Sequence, residues 1–242
     1  VKGFILALQF LTRLPTPRIT VDETDFTASM RWFPAVGLLI GACVAGAAWA
    51  GSAIDPWVGA LAALSVWVAV TGSLHLDGLS DLADASGAAH KDRARLLAVL
   101  ADPHVGSFGV VALILQLIAK LVLLHSIVEA HLFWPIILIP FAARIGPLVW
   151  TVWLPPLHEG LASRFRMAVR PADIAFWTIA LLATAYVSPS ILLTAPLILW
   201  WGWQLRRTIG GISGDGHGAG IELIETLLLL SMIALFHLRL GA

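Results

Sequence analysis

The 242-residue chain is 59% hydrophobic and 12% charged, with a mean hydropathy of +0.88, too apolar for a soluble domain with a polar surface. Fifteen Lys and Arg balance fifteen Asp and Glu, which excludes a strongly basic nucleic-acid-binding surface. The single cysteine, Cys43, excludes an intrachain disulfide and a cysteine metal site. These properties predict an all-α polytopic membrane protein forming a single domain over residues 1–242.

The chain opens VKGFILALQFLTRLPTPR. Its apolar core is short, Arg13 interrupts it and no small-residue cleavage site follows, so it reads as an interfacial amphipathic or re-entrant helix, not a secretory signal. A bilayer core about 30 Å thick requires roughly 20 apolar residues per helix. On that basis seven spans are expected: Phe33 to Ile54, Trp57 to Leu76, Ser107 to His125, Leu132 to Leu154, Ile174 to Val187, Ile191 to Leu205 and Ile221 to Leu240. The fifth and sixth are short, with Pro189 marking a turn or kink between them.

Lys and Arg fall in four groups: Lys2, Arg13, Arg18 and Arg31; Lys91, Arg93 and Arg95; Arg164, Arg166 and Arg170; and Arg206 with Arg207. The alternate connections Gly51 to Pro56, Ser126 to His131 and the Ser188 turn contain none. The positive-inside rule then places the N-terminus and the basic segments in the cytoplasm, with Arg239 the one dissent. Trp32, Trp57, Trp134, Trp150, Trp153 and Trp201 fall near span ends, where an aromatic belt is expected.

The chemistry concentrates on that basic face. In LHLDGLSDLADASG, residues 74–87, Asp77, Asp81 and Asp84 are spaced four and three residues apart, within an arc of about 60° on a helix. Their mutual repulsion is relieved by a divalent cation, and hard carboxylate oxygens suit magnesium, which completes its shell with water and substrate phosphate. The competing reading is a solvated acidic helix end balanced by Lys91, Arg93 and Arg95. The segment ADPHVGSFG returns Asp102 towards the same place, with His75 and His104 as further polar candidates.

A second cluster reads TIGGISGDGHGAGIELIE. Its glycines, Gly210, Gly211 and Gly214 among them, would let backbone amides approach a phosphate ahead of a helix starting near Ala219. It lacks the spacing and lysine of a P-loop. Asp215 and Glu222 add acids to it. Lys120 and Arg144 lie inside spans, at about 2.5–3.5 kcal/mol each on insertion scales, and require partners: Glu222, Glu225 or substrate phosphates. Aligned acids, a Gly-rich segment and buried cations suit phosphoryl transfer at a membrane surface, with the site built from residues 77–106, 155–173 and 206–220.

These residues resemble the cobalamin synthase (adenosylcobinamide-GDP ribazoletransferase) family. The matching blocks are ALQFLTRLPTP, MRWFPAVGLLIG, HLDGLSDLADASGA, LADPHVGSFGVVALILQLIAK, AAR ending at Arg144, and IGGISGDGHGAGIELIE. Together they extend over nearly the whole chain. The family usually has DG where this chain has Asp84-Ala85, and often Arg at His104. The resemblance implies transfer of the cobinamide phosphoryl group from adenosylcobinamide-GDP to α-ribazole or its 5′-phosphate, with release of GMP, at a bacterial cytoplasmic (inner) membrane.

It also implies magnesium as cofactor, with Asp77, Asp81 and Asp102 as ligands, Asp84 a fourth ligand or the base, and Asp215 the other candidate for either role. His75, Lys120, Arg144, Gly210, Gly211, Gly214, Asp215 and Glu222 are then substrate-binding candidates. A homo-oligomer, or association with other nucleotide-loop assembly enzymes, is a further expectation. Two rivals stand beside this reading. A CDP-alcohol phosphatidyltransferase is disfavoured because Ser80-Asp81-Leu82 follows Asp77-Gly78-Leu79 in place of that family's alanine-arginine pattern. A cation-coupled transporter, motivated by Lys120 and Arg144, is disfavoured because the acids gather at one face and no internal repeat is visible.

Overall fold

The computed structural model describes residues 2–20, 22–88, 92–157 and 161–240, and among them every regular element is helical. Lys91 lies outside the described residues. Helix α1 (Lys2–Leu11) buries Leu6, Ala7 and Leu11 along one face, as an amphipathic helix should. It packs on α3 (Phe33–Ser52) and the 3-10 turn Ser29–Trp32, with α2 (Glu23–Ala28) alongside.

Helices α3 and α4 (Pro56–Thr71) form an antiparallel hairpin. Its turn is set locally: Asp55 accepts from the Trp57 amide at 2.7 Å, and Pro56 occupies the first helical turn, where its missing N–H is harmless. Helix α4 ends at Gly72, φ 59°, followed by Ser73, φ 61°. The Ser73 amide returns to the Val68 carbonyl at 3.2 Å, closing a Schellman-type cap. Two successive left-handed residues bend the chain by 86° into α5 (Leu74–Ala88).

Helix α6 (Arg93–Leu100) leads to α7 (Ser107–Glu129), and Phe133–Trp153 follows as three pieces: α8 (Phe133–Ile136), α9 (Leu138–Ala143) and α10 (Gly146–Trp153). The second break centres on Arg144, between Pro140 and Pro147; a proline cannot donate to the carbonyl one turn back. Then come α11 (Leu161–Ala168), α12 (Pro171–Thr184), α13 (Thr194–Thr208) and α14 (Gly214–Leu240).

Among the described residues, four helical segments are long and apolar enough to cross a bilayer, Thr24–Ser52, Ser107–Glu129, Phe133–Trp153 and Gly214–Arg239, and the bent pair α4–α5 makes a fifth if it is counted as one span. The expected seven are therefore not all present by length. Helices α12 and α13 have 14 and 15 residues, spanning about 21 and 23 Å at the α-helical rise, less than the bilayer core. Hydropathy cannot register the backbone breaks at Gly72-Ser73 and Pro189.

The tryptophans divide in two. Trp57 and Trp134 are exposed as belt residues would be, whereas Trp150 and Trp201 are buried and donate to the carbonyls of Ile198 and Gly216 at 2.8 and 2.9 Å. These bonds tie α10 to α13, and α13 to the start of α14.

The packing that matters most for the site is α5 against α14. A Cβ on Gly78 would lie 2.8 Å from the Asp215 Cα, and one on Gly218 would lie 3.2 Å from the His75 carbonyl oxygen. Glycine at these positions lets the two backbones approach within reach of common polar groups. Gly78→Ala is expected to lower stability by about 1–3 kcal/mol through overpacking, seen as an earlier thermal midpoint in detergent. Gly46→Ala, where a Cβ meets nothing within 4 Å, should not lower it.

Candidate active site

Helix α5 carries the acidic stripe, but its three members meet different surroundings. Asp77 is exposed, Asp81 is half-buried and Asp84 is buried. Asp84 accepts from the amides of Gly106 at 2.7 Å and Gly109 at 2.9 Å. It therefore satisfies the start of α7, where helix amides have no internal partner and a negative charge is favoured. Asp81 instead feels the charges of Asp77, Asp215 and Asp84. Asp215 reaches this group from the first turn of α14, brought there by the Gly78 approach.

Asp102 lies apart in the exposed loop before α7. Its carboxylate accepts from the ring Nδ1 and the amide of His104, at 2.6 and 3.0 Å. The His104 side-chain bond, followed by its amide bond, holds the Asp102 carboxyl below the ordinary carboxylate range.

The glycine-rich segment is largely helical, since α14 begins at Gly214 rather than near Ala219. Gly210, φ 80°, ends α13 and gives its amide to the Leu205 carbonyl at 3.0 Å. Gly211 belongs to the turn in which the Ile212 amide donates to Pro155 at 2.9 Å, in an isolated bridge between Pro156 and Ile212. Gly216 donates to the Ser213 hydroxyl at 3.0 Å. Gly214 alone of the three predicted cradle glycines lines the cavity described next.

That cavity, of about 400 Å³, lies between α5 and α14, and its polar wall comprises His75, Asp77, Asp215 and His217. His217 was not foreseen among the site residues; its Nε2 lies 3.0 Å from the Thr151 hydroxyl. The spacing Asp215, Gly218, Glu222, Glu225 repeats at three, four and three residues, a helical stripe that would have shown the segment to be helix despite its glycines.

Beneath the cavity lies a buried ion network. Lys120 pairs with Glu222 and Glu225, each at 2.7 Å, and Arg144 pairs with Glu225 at 2.8 Å. Lys120 also lies 4.3 Å from the centroid of the Trp67 ring. Gln116 donates to the Glu222 carboxylate at 2.8 Å. Arg144, wholly buried, donates further to the Pro140 carbonyl at 3.0 Å, and its Nη2 lies 3.4 Å from His75 Nδ1. The two cations thus have carboxylate partners on α14, and only Arg144 extends, through His75, to the cavity wall.

Among the described residues, no three carboxylate, imidazole or thiol groups converge tightly enough to hold a metal by themselves. Residues 3–233 match the model of the cobalamin-5-phosphate synthase family. The chain belongs to this family. A protein of Novosphingobium aromaticivorans is 70% identical over 235 residues, covering 96% of both chains. One from Laribacter hongkongensis is 52% identical over 241 residues, 96% of this chain and 97% of its own, and one from Thiobacillus denitrificans is 49% identical over 232 residues, 95% and 94%. All three bear the name adenosylcobinamide-GDP ribazoletransferase. No solved structure matches the chain.

Removing one partner of a buried pair strands the other charge. In this cobalamin-5-phosphate synthase family member, Glu225→Ala should destabilise the fold by about 3–5 kcal/mol, measured by denaturant titration in detergent. Asp25→Ala, which breaks the exposed pair with Lys2, should leave it nearly unchanged.

Proposed function

We propose that the chain transfers the cobinamide phosphoryl group of adenosylcobinamide-GDP to a ribose hydroxyl of α-ribazole or its 5′-phosphate, releasing GMP. Family membership supports the reaction. The structural observation that carries it is the meeting of Asp77 from α5 and Asp215 from α14 on the wall of one cavity, with Asp81 in electrostatic reach of both. In the transfer, the hydroxyl oxygen bonds to the cobinamide-side phosphorus. The bond from that phosphorus to the bridging oxygen breaks, and GMP leaves with the bridging oxygen. The hydroxyl proton passes to a carboxylate, and Asp215 has the position for it on the cavity wall.

The donor set fits magnesium. That ion is ordinarily held by one or two carboxylates plus water and substrate phosphates, without a closed protein cage, and neighbouring carboxylates repel one another in a way that a cation between them relieves. Asp77 and Asp81, with Asp215 as the other candidate, would hold it. Bound there, it would neutralise charge developing on the diphosphate and orient the groups in line. Asp84 is assigned to the start of α7, since both its oxygens already accept amides, and Asp102 to its pair with His104.

The test is GMP release by the purified, lipid-reconstituted chain given adenosylcobinamide-GDP and α-ribazole phosphate. Wild-type turnover should require magnesium and stop on chelation. Asp81→Asn should lose about 100-fold or more, the scale seen when a transition-state charge loses its stabilising partner. A folded wild type that makes no product would reject the transfer, and full activity in Asp81→Asn would reject the metal role.

The site faces the cytoplasm in this proposal, in a bacterial inner membrane. The hairpin turn between α3 and α4 lies beside the end of α7, because a Cβ on Gly59 would be 3.0 Å from Val128. The connections there contain no Lys or Arg, and the basic residues concentrate towards the other end. Tyr186 is 97% exposed next to the Ser188 turn. In a Cys43→Ser background, Tyr186→Cys should react with an impermeant maleimide added outside intact spheroplasts. Labelling only from the cytoplasm would reverse the orientation.

A further inference from the structure

We infer that the cavity between α5 and α14 holds the two-ring base of the acceptor nucleoside, stacked on Phe10, Phe33 and Phe165 and hydrogen-bonded through its bare ring nitrogen by His75 Nε2–H. The inference rests on the transfer proposed above. It concerns which part of which substrate enters the protein.

Three observations carry it. The first is the aromatic wall. Phe10 from α1, Phe33 from α3 and Phe165 from α11 line the cavity and pack on one another, with Phe10 and Phe33 stacked at 5.7 Å between centroids and Phe165 at 6.4 and 6.2 Å from them. Rings converging from three separate helices make a surface for a flat apolar ligand.

The second is His75. It is 3% exposed, and its Nε2 has no hydrogen-bond partner among the described residues. Arg144 can only donate, so its Nη2 at 3.4 Å from His75 Nδ1 fixes Nδ1 of a neutral ring as acceptor and leaves the proton on Nε2. Arg144 is itself anchored by Glu225. The result is one buried, oriented donor on a residue that lines the cavity, with no partner among the described residues, and an unmade hydrogen bond of this kind is costly.

The third is the mismatch with the other pieces of substrate. A volume of about 400 Å³ suits a single nucleoside and is too small for a corrin macrocycle with its side chains. Guanine brings N–H groups that need acceptors, and the carboxylates on this wall, Asp77 and Asp215, are engaged by the metal and the attacking hydroxyl in the transfer proposed above. The base of ribazole, a dimethylbenzimidazole, has no N–H when linked to ribose. It presents one bare nitrogen and two methyl groups, matching one donor and an apolar wall.

The experiment uses the full chain purified into lipid, with equilibrium dialysis of nucleosides and steady-state kinetics in both substrates. Wild type should bind α-ribazole about tenfold more tightly than the corresponding dimethylindole riboside, which has C–H in place of the bare nitrogen. His75→Phe should erase that difference. Phe165→Ala should raise KM for α-ribazole about tenfold or more and change KM for adenosylcobinamide-GDP less than about twofold. Equal binding of the two ribosides by wild type would overturn the inference without any variant being needed. So would a rise in KM confined to the GDP substrate. Product formation without the KM split overturns the cavity assignment alone; the expected binding preferences without any product overturn the transfer and leave the cavity assignment standing.

Discussion

The arrangement depends on four ionised groups being buried together. Lys120 and Arg144 bring two positive charges and Glu222 and Glu225 two negative ones, with each cation within 2.8 Å of a carboxylate. Any one alone in this interior would carry a desolvation penalty of several kcal/mol. The set is neutral and its members come from different parts of the chain, so it forms only when α7, α14 and the break between α9 and α10 are in register. Such networks contribute little net stability compared with apolar packing. Their effect is on which packing is permitted: sliding α14 by a turn would leave both glutamates opposite the wrong residues.

That register aligns the chemistry above it. Glu222 and Glu225 share a helical stripe with Gly218 and Asp215, so fixing the glutamates also presents Gly218 to His75 and Asp215 to Gly78. The neutral network can hold cations deep in the bundle while the opposite sign accumulates at its edge, where Asp77, Asp81 and Asp215 lie near one another. Within the acidic stripe, environment separates the roles. Asp84 spends both oxygens on amides at the start of α7, and Asp77, about two helical turns earlier on the same face, lines the cavity.

Much of this was legible in the residues. Apolar runs gave the helices, the need for partners at Lys120 and Arg144 offered Glu222 and Glu225 beside substrate phosphates, and the spacing of Asp77, Asp81 and Asp84 put them on one face. What was not legible depends on backbone geometry or on distant packing. Gly72 and Ser73 lie in a continuous apolar run, and only their left-handed conformation reveals the bend. The glycines after Ser213 imitate a loop because glycine disfavours helix, yet here they admit neighbouring backbone and the tryptophan rings. Asp84 looks like its neighbours until Gly106 is brought beside it. Phe10, Phe33 and Phe165 are ordinary apolar residues in sequence, and their common wall exists only after α1, α3 and α11 meet.

The division of the site also bears on how such different substrates can be handled by so small a chain. A corrinoid cannot be enclosed in the cavity, so the enzyme need not open a large interior to bind it. If the acceptor base fills the aromatic pocket and the activated phosphate lies at the exposed carboxylates, the corrin ring remains outside, free to rest at the membrane surface. Recognition is then concentrated on the small partner and on the reacting phosphate, the two parts whose relative position determines in-line attack. The buried cations contribute at a distance, by fixing the helix that carries Asp215 and the imidazole that faces the base.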